Sequence, residues 1–102
     1  MHNCSQNGSN SYKRIDGSIE LLKAVSDPSR LRILCTLLKT NICVCKLAEK
    51  TGMSHNLMSH HLKTLYDAGI LNKSREGNEI YYCIKDEWTE RLDHFFQFLH
   101  LN

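Results

Sequence analysis

Two short helical segments joined through a glycine dominate the middle of this 102-residue chain. The first, VCKLAEKTG, is typical of a helix that stops at Gly52, because glycine readily adopts the left-handed conformation found at helix ends. Ser54 is a good N-cap for a second helix that runs to about Ala68 and stops at Gly69. Four residues recur at the spacing of one buried helix face: Met58, His61, Leu62 and Leu65. The pattern predicts a helix-turn-helix.

Further elements flank this pair. The pattern turns helical from about Asp16, and Asp27 followed by Pro28 marks another helix start, because these residue types favour the N-cap and the first helical position. The segments ILNKSR and EIYYCI are typical of two strands around a Glu-Gly-Asn turn. A last helix is expected from about Asp86. We therefore predict a mainly α fold with a small β-hairpin (α+β), in the order ααααββα, which is a winged helix-turn-helix.

Length and composition narrow the class of protein. We expect a flexible arm over residues 1–15, rich in Asn, Ser and Gly, and one DNA-binding and dimerisation domain over residues 16–102. The net charge is only +2, so nucleic-acid binding would need a local basic face. No run approaches the roughly 18 apolar residues of a membrane helix, and no signal-peptide apolar region is present, so we expect a cytoplasmic protein without a membrane partner. Five cysteines in a reducing compartment favour metal or redox chemistry over disulfides.

The outward face of the helix after Gly52 carries short polar side chains and one cation. Such side chains suit a helix that enters the major groove end-first, reads base edges and bonds phosphates. Two cations on the hairpin would extend the positive surface. The predicted DNA-binding residues are Ser54, His55, Asn56, Ser59, His60, Lys63, Lys73 and Arg75. The alternatives are an ordinary solvated helix face and a winged-helix module used only for protein contacts.

Three segments together resemble the ArsR/SmtB family of metal-sensing repressors. They are LKAVSDPSRLRIL, CVCKLAEKTGMSHNLMSHHLKTLYDAGIL and REGNEIYYCI, and the resemblance covers about residues 18–88. It implies a homodimeric winged-helix repressor that binds a twofold-symmetric operator in double-stranded DNA and is released by an inducer. It also implies a dimer interface built from the first and last helices.

Cys43 and Cys45 stand one residue apart at the start of the short helix. Residues i and i+2 point about 200° apart in a regular helix, so the pair converges on one ion only if Cys43 lies at or before the first turn in extended geometry. Two thiolates are too few for a soft-metal site, which commonly takes about three or four ligands, and Cys4 on the arm is the predicted third ligand. The alternative is that both pack in the core as small hydrophobes.

The resemblance also points to a class of inducer. A CVC sequence at this place is the family's signature for a metal site on the third helix. Arsenite sensors typically add a cysteine where this chain has Ala48, whereas CadC-like members bring cysteines from the N-terminal arm, which Cys4 fits better. The implied inducer is therefore cadmium or lead, with zinc, bismuth or arsenite as further options. The family's site on the last helix is not expected here, because Trp88 replaces its histidine.

The thiols raise two alternatives to a metal-sensing repressor. An oxidant or persulfide acting on the thiols is the alternative inducer. A thiol enzyme that uses Cys43 with His60 or His61 is not expected, because the chain has no C-x-x-C pair and no glycine-rich phosphate loop. His61 and Cys35 are predicted to be core residues rather than ligands.

Overall fold

The computed structural model describes residues 18–40 and 42–99. In this part of the chain, five helices and one hairpin follow in the predicted order, and the winged helix-turn-helix is confirmed. The elements are α1 (residues 18–25), α2 (Pro28–Lys39), α3 (Val44–Thr51), α4 (His55–Asp67), β1 (Leu71–Glu76), β2 (Glu79–Ile84) and α5 (Asp86–Phe98). The predicted arm over residues 1–15 lies outside the described residues.

Local sequence signals set the helix boundaries as predicted. The Asp27 carboxylate accepts a hydrogen bond from the Arg30 backbone N–H at 3.0 Å, and a proline occupies the first turn of α2. The Ser54 hydroxyl accepts one from the Leu57 N–H at 3.2 Å and so caps α4. Helix α3 ends at Gly52, whose φ of 73° lies in the left-handed region that favours glycine. These signals turn the chain sharply between α3 and α4.

The hairpin has the register expected of a two-residue turn. Leu71 lies opposite Ile84 at its open end, and Glu76 lies opposite Glu79 at the turn. Gly77 occupies the first turn position with a φ of 64°, as tight hairpin turns require. The hairpin therefore projects as a wing of paired strands.

One backbone contact extends the pairing of the strands, and another attaches the wing to the start of α3. At the open end of the hairpin, the Lys85 N–H donates to the Ile70 carbonyl at 2.9 Å, one step beyond the Leu71–Ile84 pair. In the middle of β2, Tyr81 forms an isolated antiparallel bridge with Cys43, the residue just before α3. A two-stranded hairpin alone is marginally stable, so the bridge to Cys43 helps to fix the wing against the helices.

The apolar core lies between α2, α3, α4 and the base of the wing. Its largest fully buried side chains are Ile33, Leu34, Leu47, Met58, Leu62, Leu65, Ile70 and Leu71. Burying each such side chain contributes roughly 1.5–3 kcal/mol. All four residues of the predicted inward stripe of α4 are buried, which confirms that prediction. The opposite face of α4 is consequently turned toward solvent.

Helices α1 and α5 carry apolar side chains that the core does not cover. The most exposed are Leu22 on α1, 59% exposed, and Phe98 on α5, 78% exposed. Others on the two helices or at their ends are Ile19, Phe95 and Leu99. Contiguous exposed apolar surface usually marks an interaction site. Among the described residues, no helix combines the length and the apolar character needed to span a membrane.

Candidate DNA-binding face and thiol cleft

All eight predicted DNA-binding residues are exposed, on the cap and outer face of α4 and on β1. Because the inner face of α4 is fixed in the core, its outer face points away from the body of the protein. The short polar side chains occupy the cap and first two turns, the part of a recognition helix that meets base edges. The exposure and position that the prediction requires are therefore present.

Lys63 is held along α4 by an ion pair. Its Nζ lies 2.8 Å from Oδ2 of Asp67, one turn later on the same helix. The hydrogen bond to Asp67 raises the pKa of Lys63, followed in effect by the charge of the same carboxylate. Both side chains are largely exposed, so a phosphate can compete with the carboxylate for this amine.

Lys73 is positioned by two aromatic rings. Its Nζ lies 5.8 Å from the ring centroid of Tyr66 and 5.9 Å from that of Tyr82. The two rings meet edge to face with centroids 6.3 Å apart. A cation within about 6 Å of a ring is attracted to it, so the rings orient this amine. Our sequence reasoning missed this contact, although Tyr82 lies directly opposite Lys73 once the hairpin register is known.

Arg30 joins three helices around His61. Its Nη1 lies 3.2 Å from Nδ1 of His61, while its other nitrogens donate to the carbonyls of Ala24 and Lys23 near the end of α1. A guanidinium only donates, so Nδ1 accepts and the neutral ring carries its proton on Nε2. Burial lowers the pKa of His61, opposed by the nearby Asp27 carboxylate. The prediction that His61 is a hydrogen-bonded core residue is confirmed; its arginine partner was not predicted.

Cys43 and Cys45 border the same cleft. Cys43 is the N-cap residue of α3, with extended φ and ψ of −74° and 166°, and is only 6% exposed. Cys45 lies in the first turn and is exposed, so core packing does not describe it. The cleft, of about 210 Å³, is also lined by His55 and Ser59 of α4 and by the wing. The extended geometry that convergence of the thiols requires is therefore present.

The donors of this cleft suit a soft or borderline ion, but they are not yet a complete site. Within residues 18–40 and 42–99, no three His, Cys, Asp or Glu side chains are grouped closely enough to hold a metal. The predicted third ligand, Cys4, lies outside the described residues. Two sulfur donors on one cleft nevertheless match the preference of thiophilic ions.

The remaining functional predictions concern the other cysteines and α5. Cys35 packs against the core as a half-buried residue, as predicted, whereas Cys83 on β2 is exposed. On α5, the Arg91 guanidinium lies 5.0 Å from the ring centroid of Trp88. Trp88 is therefore part of the packing between side chains on this helix.

Comparison with known proteins identifies the family. The model for "Bacterial regulatory protein, arsR family" matches residues 27–73. The chain is 35% identical over 83 residues to the arsenical resistance operon repressor of Staphylococcus xylosus, covering 81% of this chain and 77% of that protein. The chain belongs to the ArsR family. The ArsR-family chain is also 36% identical over 74 residues to a CadC homolog, a cadmium resistance regulator of Staphylococcus aureus, covering 72% of this chain and 61% of that protein.

Because these two relatives match at similar identity, the predicted closeness to CadC-like members stays a prediction.

A solved structure with the same fold is a homodimeric winged helix-turn-helix DNA-binding domain from Mycobacterium bovis, a possible ArsR-family regulator. It superimposes with a TM-score of 0.77 at 29% identity, covering 98% of this chain and 90% of that one. The named relatives are described as transcriptional repressors or regulators, and none of them as an enzyme.

Proposed function

We propose that this ArsR-family chain is a metal-responsive repressor. It binds operator DNA as an apo homodimer and is released when a soft or borderline ion binds Cys43 and Cys45. The observation that carries the proposal is the cleft that these two residues share with His55 and Ser59 at the start of α4. Cadmium or lead is the proposed inducer, and zinc, bismuth and arsenite are the other ions to test.

DNA contact is assigned to the exposed face of α4 and to the wing. The first two turns of α4 would read base edges in the major groove, while Lys63, Lys73 and Arg75 would contact phosphates. In a twofold-symmetric dimer, the two α4 helices would lie about 34 Å apart, one turn of DNA. Residues 16–102 would serve as one DNA-binding and dimerisation domain.

Dimerisation is assigned to the apolar surface of α1 and α5. Leu22 and Phe98 are large apolar side chains that this chain alone leaves more than half exposed. A second copy would cover them, in line with the homodimeric Mycobacterium bovis domain. A chain of this length also gains stability from such burial, because a small domain covers a limited share of its own surface.

Metal binding is assigned to Cys43 and Cys45, with Cys4 of the arm as the proposed third ligand. The cysteine pair begins α3, which packs against the DNA-reading α4. A ligand that draws the arm to the start of α3 would therefore alter how α4 is presented to DNA. Coupling free energies between sites are typically about 1–3 kcal/mol, enough for a roughly 5- to 150-fold loss of DNA affinity.

The test is fluorescence anisotropy of the reduced protein on DNA from its own promoter, titrated with cadmium at fixed salt. We expect release that a chelator reverses, and no release from the double variant Cys43→Ser, Cys45→Ser. Cys83→Ser, which removes an exposed thiol outside the cleft, is the matched control. Tight binding that cadmium leaves unchanged would contradict the metal response. Failure of any salt-dependent DNA binding would instead indicate a protein-interaction module.

An oxidant or persulfide sensor is the second candidate function. Its support is the exposure of Cys45, because solvent access favours oxidation of a thiol. The anisotropy titration is repeated in the presence of a strong chelator, with an oxidant or persulfide in place of cadmium. This experiment distinguishes an oxidant or persulfide sensor from a metal sensor. Release under those conditions, reversed by a thiol reductant, would favour this candidate over the metal.

A further inference from the structure

The cleft of Cys43 and Cys45 also contains part of the DNA-binding face. His55 and Ser59, from the first two turns of α4, lie on its wall with the cysteines and with residues of the wing. Its volume of about 210 Å³ is well above the roughly 10–15 Å³ that a cavity needs to hold one water, so there is room for an ion. A ligand held here would touch the elements that read DNA.

His55 is the donor on this wall that best complements two thiols. It is the first residue of α4 and is exposed. His61 is turned into the core and bonded to Arg30, and His60 is not among the residues that line the cleft. Imidazole and thiolate together form the donor set of many zinc sites.

Glu79 also borders the cleft, but it is a poorer candidate. Its Oε2 accepts a hydrogen bond from the Tyr81 hydroxyl at 3.2 Å, so the carboxylate already has a partner on its own strand. Carboxylate oxygen is also a harder donor than imidazole and suits ions such as magnesium and calcium. The chemistry therefore favours His55 as the donor added to the thiols.

We propose that His55 is a ligand of the inducing ion together with Cys43 and Cys45, so that one side chain serves DNA and metal in turn. This inference rests on the proposed function and deepens it. Two thiolates and one imidazole are also the three protein ligands of some open zinc sites. Since the described donors are not already grouped at metal-binding distance, ion binding must draw the start of α4 and the start of α3 together.

Direct competition follows from this shared residue. When His55 ligates the ion, it is withdrawn from the leading end of α4, and DNA loses a contact there. By thermodynamic reciprocity, bound operator DNA must lower the affinity for the ion by the same factor. Release of DNA would then not depend only on a shift of packing between helices.

The test measures metal affinity without DNA, because His55 is also a proposed DNA contact. Cadmium ions are titrated into the reduced full-length protein against a competing chelator, with thiolate-to-metal charge-transfer absorbance as the signal. We expect His55→Gln to weaken cadmium binding at least about tenfold, since even loss of an outer-shell partner typically costs about 10- to 100-fold. The matched control is His60→Gln, on the same exposed face but not lining the cleft, which should bind cadmium as the wild type does.

Histidine side-chain NMR supplies a second readout. In the wild type, cadmium should shift the ring resonances of His55, and in His60→Gln that shift should persist. Unchanged cadmium affinity in His55→Gln, beside its loss in the cysteine double variant, would overturn this inference while leaving the proposed function intact. A wild type that binds no cadmium would overturn both. Far-UV circular dichroism checks that each variant is folded.

Discussion

Nη1 of Arg30, in the first turn of α2, lies 3.2 Å from Nδ1 of His61 on the buried face of α4. Through its other nitrogens, the same guanidinium caps carbonyls near the end of α1. One cation thus connects α1, α2 and α4. The inner face of α4 is held by this polar contact as well as by apolar packing, so the contact helps to fix how the opposite face is presented.

Replacing Arg30 should destabilise the fold more than replacing a neighbouring arginine. Arg30→Met removes three hydrogen bonds and leaves Nδ1 of His61 without its donor, so we expect a loss of about 1.5–3 kcal/mol in the free energy of unfolding. Arg32→Met, at an exposed site on the same helix, should change it by less than about 0.5 kcal/mol. Urea denaturation measures both. Equal losses in the two variants would contradict the role given to Arg30.

Stability should fall as the pH drops below the ordinary pKa of His61. Burial holds that pKa below 6.5 in the folded chain, so the unfolded chain binds more protons near and below this pH. The contribution of the neutral His61 ring to the free energy of unfolding is complete above pH 6.5. It is lost as the pH falls through the lowered pKa of the folded chain. We expect His61→Gln to lack this part of the decline between about pH 7 and pH 5. Asp27 does not interfere, because its pKa is lowered from 3.8.

Urea denaturation at a series of pH values checks this expectation. The quantity to plot is the difference in unfolding free energy between wild type and His61→Gln, which should shrink as the pH falls. A difference that stays constant over this range would mean that the ring does not change its protonation state on unfolding.

Removing the partner of Lys63 should strengthen DNA binding. In Asp67→Asn, the amine loses its charged acceptor on α4 and becomes available to a phosphate, so we expect about two- to fivefold higher affinity at fixed salt. The matched control is Asp93→Asn, which removes an exposed carboxylate from α5 and should change affinity less. Anisotropy titrations at two salt concentrations measure the effect. Equal gains in both variants would indicate a general effect of charge.

The aromatic pair should act on DNA through Lys73. Tyr66→Leu removes one of the two rings that orient the amine, and we expect about two- to fivefold weaker DNA binding. Lys73→Met should weaken binding at least as much. In the double variant, the loss should not exceed that of Lys73→Met alone, because the ring acts only through the amine. Additive losses would show that Tyr66 contributes independently.

The sequence alone was sufficient to predict structural features that depend on residues close to one another along the chain. Asp27, Gly52 and Ser54 mark helix ends because a cap or a left-handed turn involves residues only a few positions apart. The inward stripe of α4 was predictable because helical periodicity alone determines which residues share a face. The order of the elements followed from these boundaries and the hairpin signal.

Contacts between distant side chains were not predictable in this way. Arg30 and His61 are 31 positions apart, and their hydrogen bond exists only after α2 and α4 have packed. The contact of Lys73 with Tyr66 likewise depends on how the wing meets α4. For the thiol cleft, the sequence supplied a condition, an extended Cys43, but not the neighbour His55. Periodicity describes faces of single elements and carries no information on which faces meet.

The bridge between Cys43 and Tyr81 leaves position 43 free to vary in sequence. Main-chain groups form such a pairing, so it does not depend on the side chain at position 43. The wing stays attached whether a thiol, a hydroxyl or another small group occupies that position. If Cys43 ligates the inducing ion as proposed, ion preference can change by substitution at the start of α3 while the winged-helix scaffold is retained.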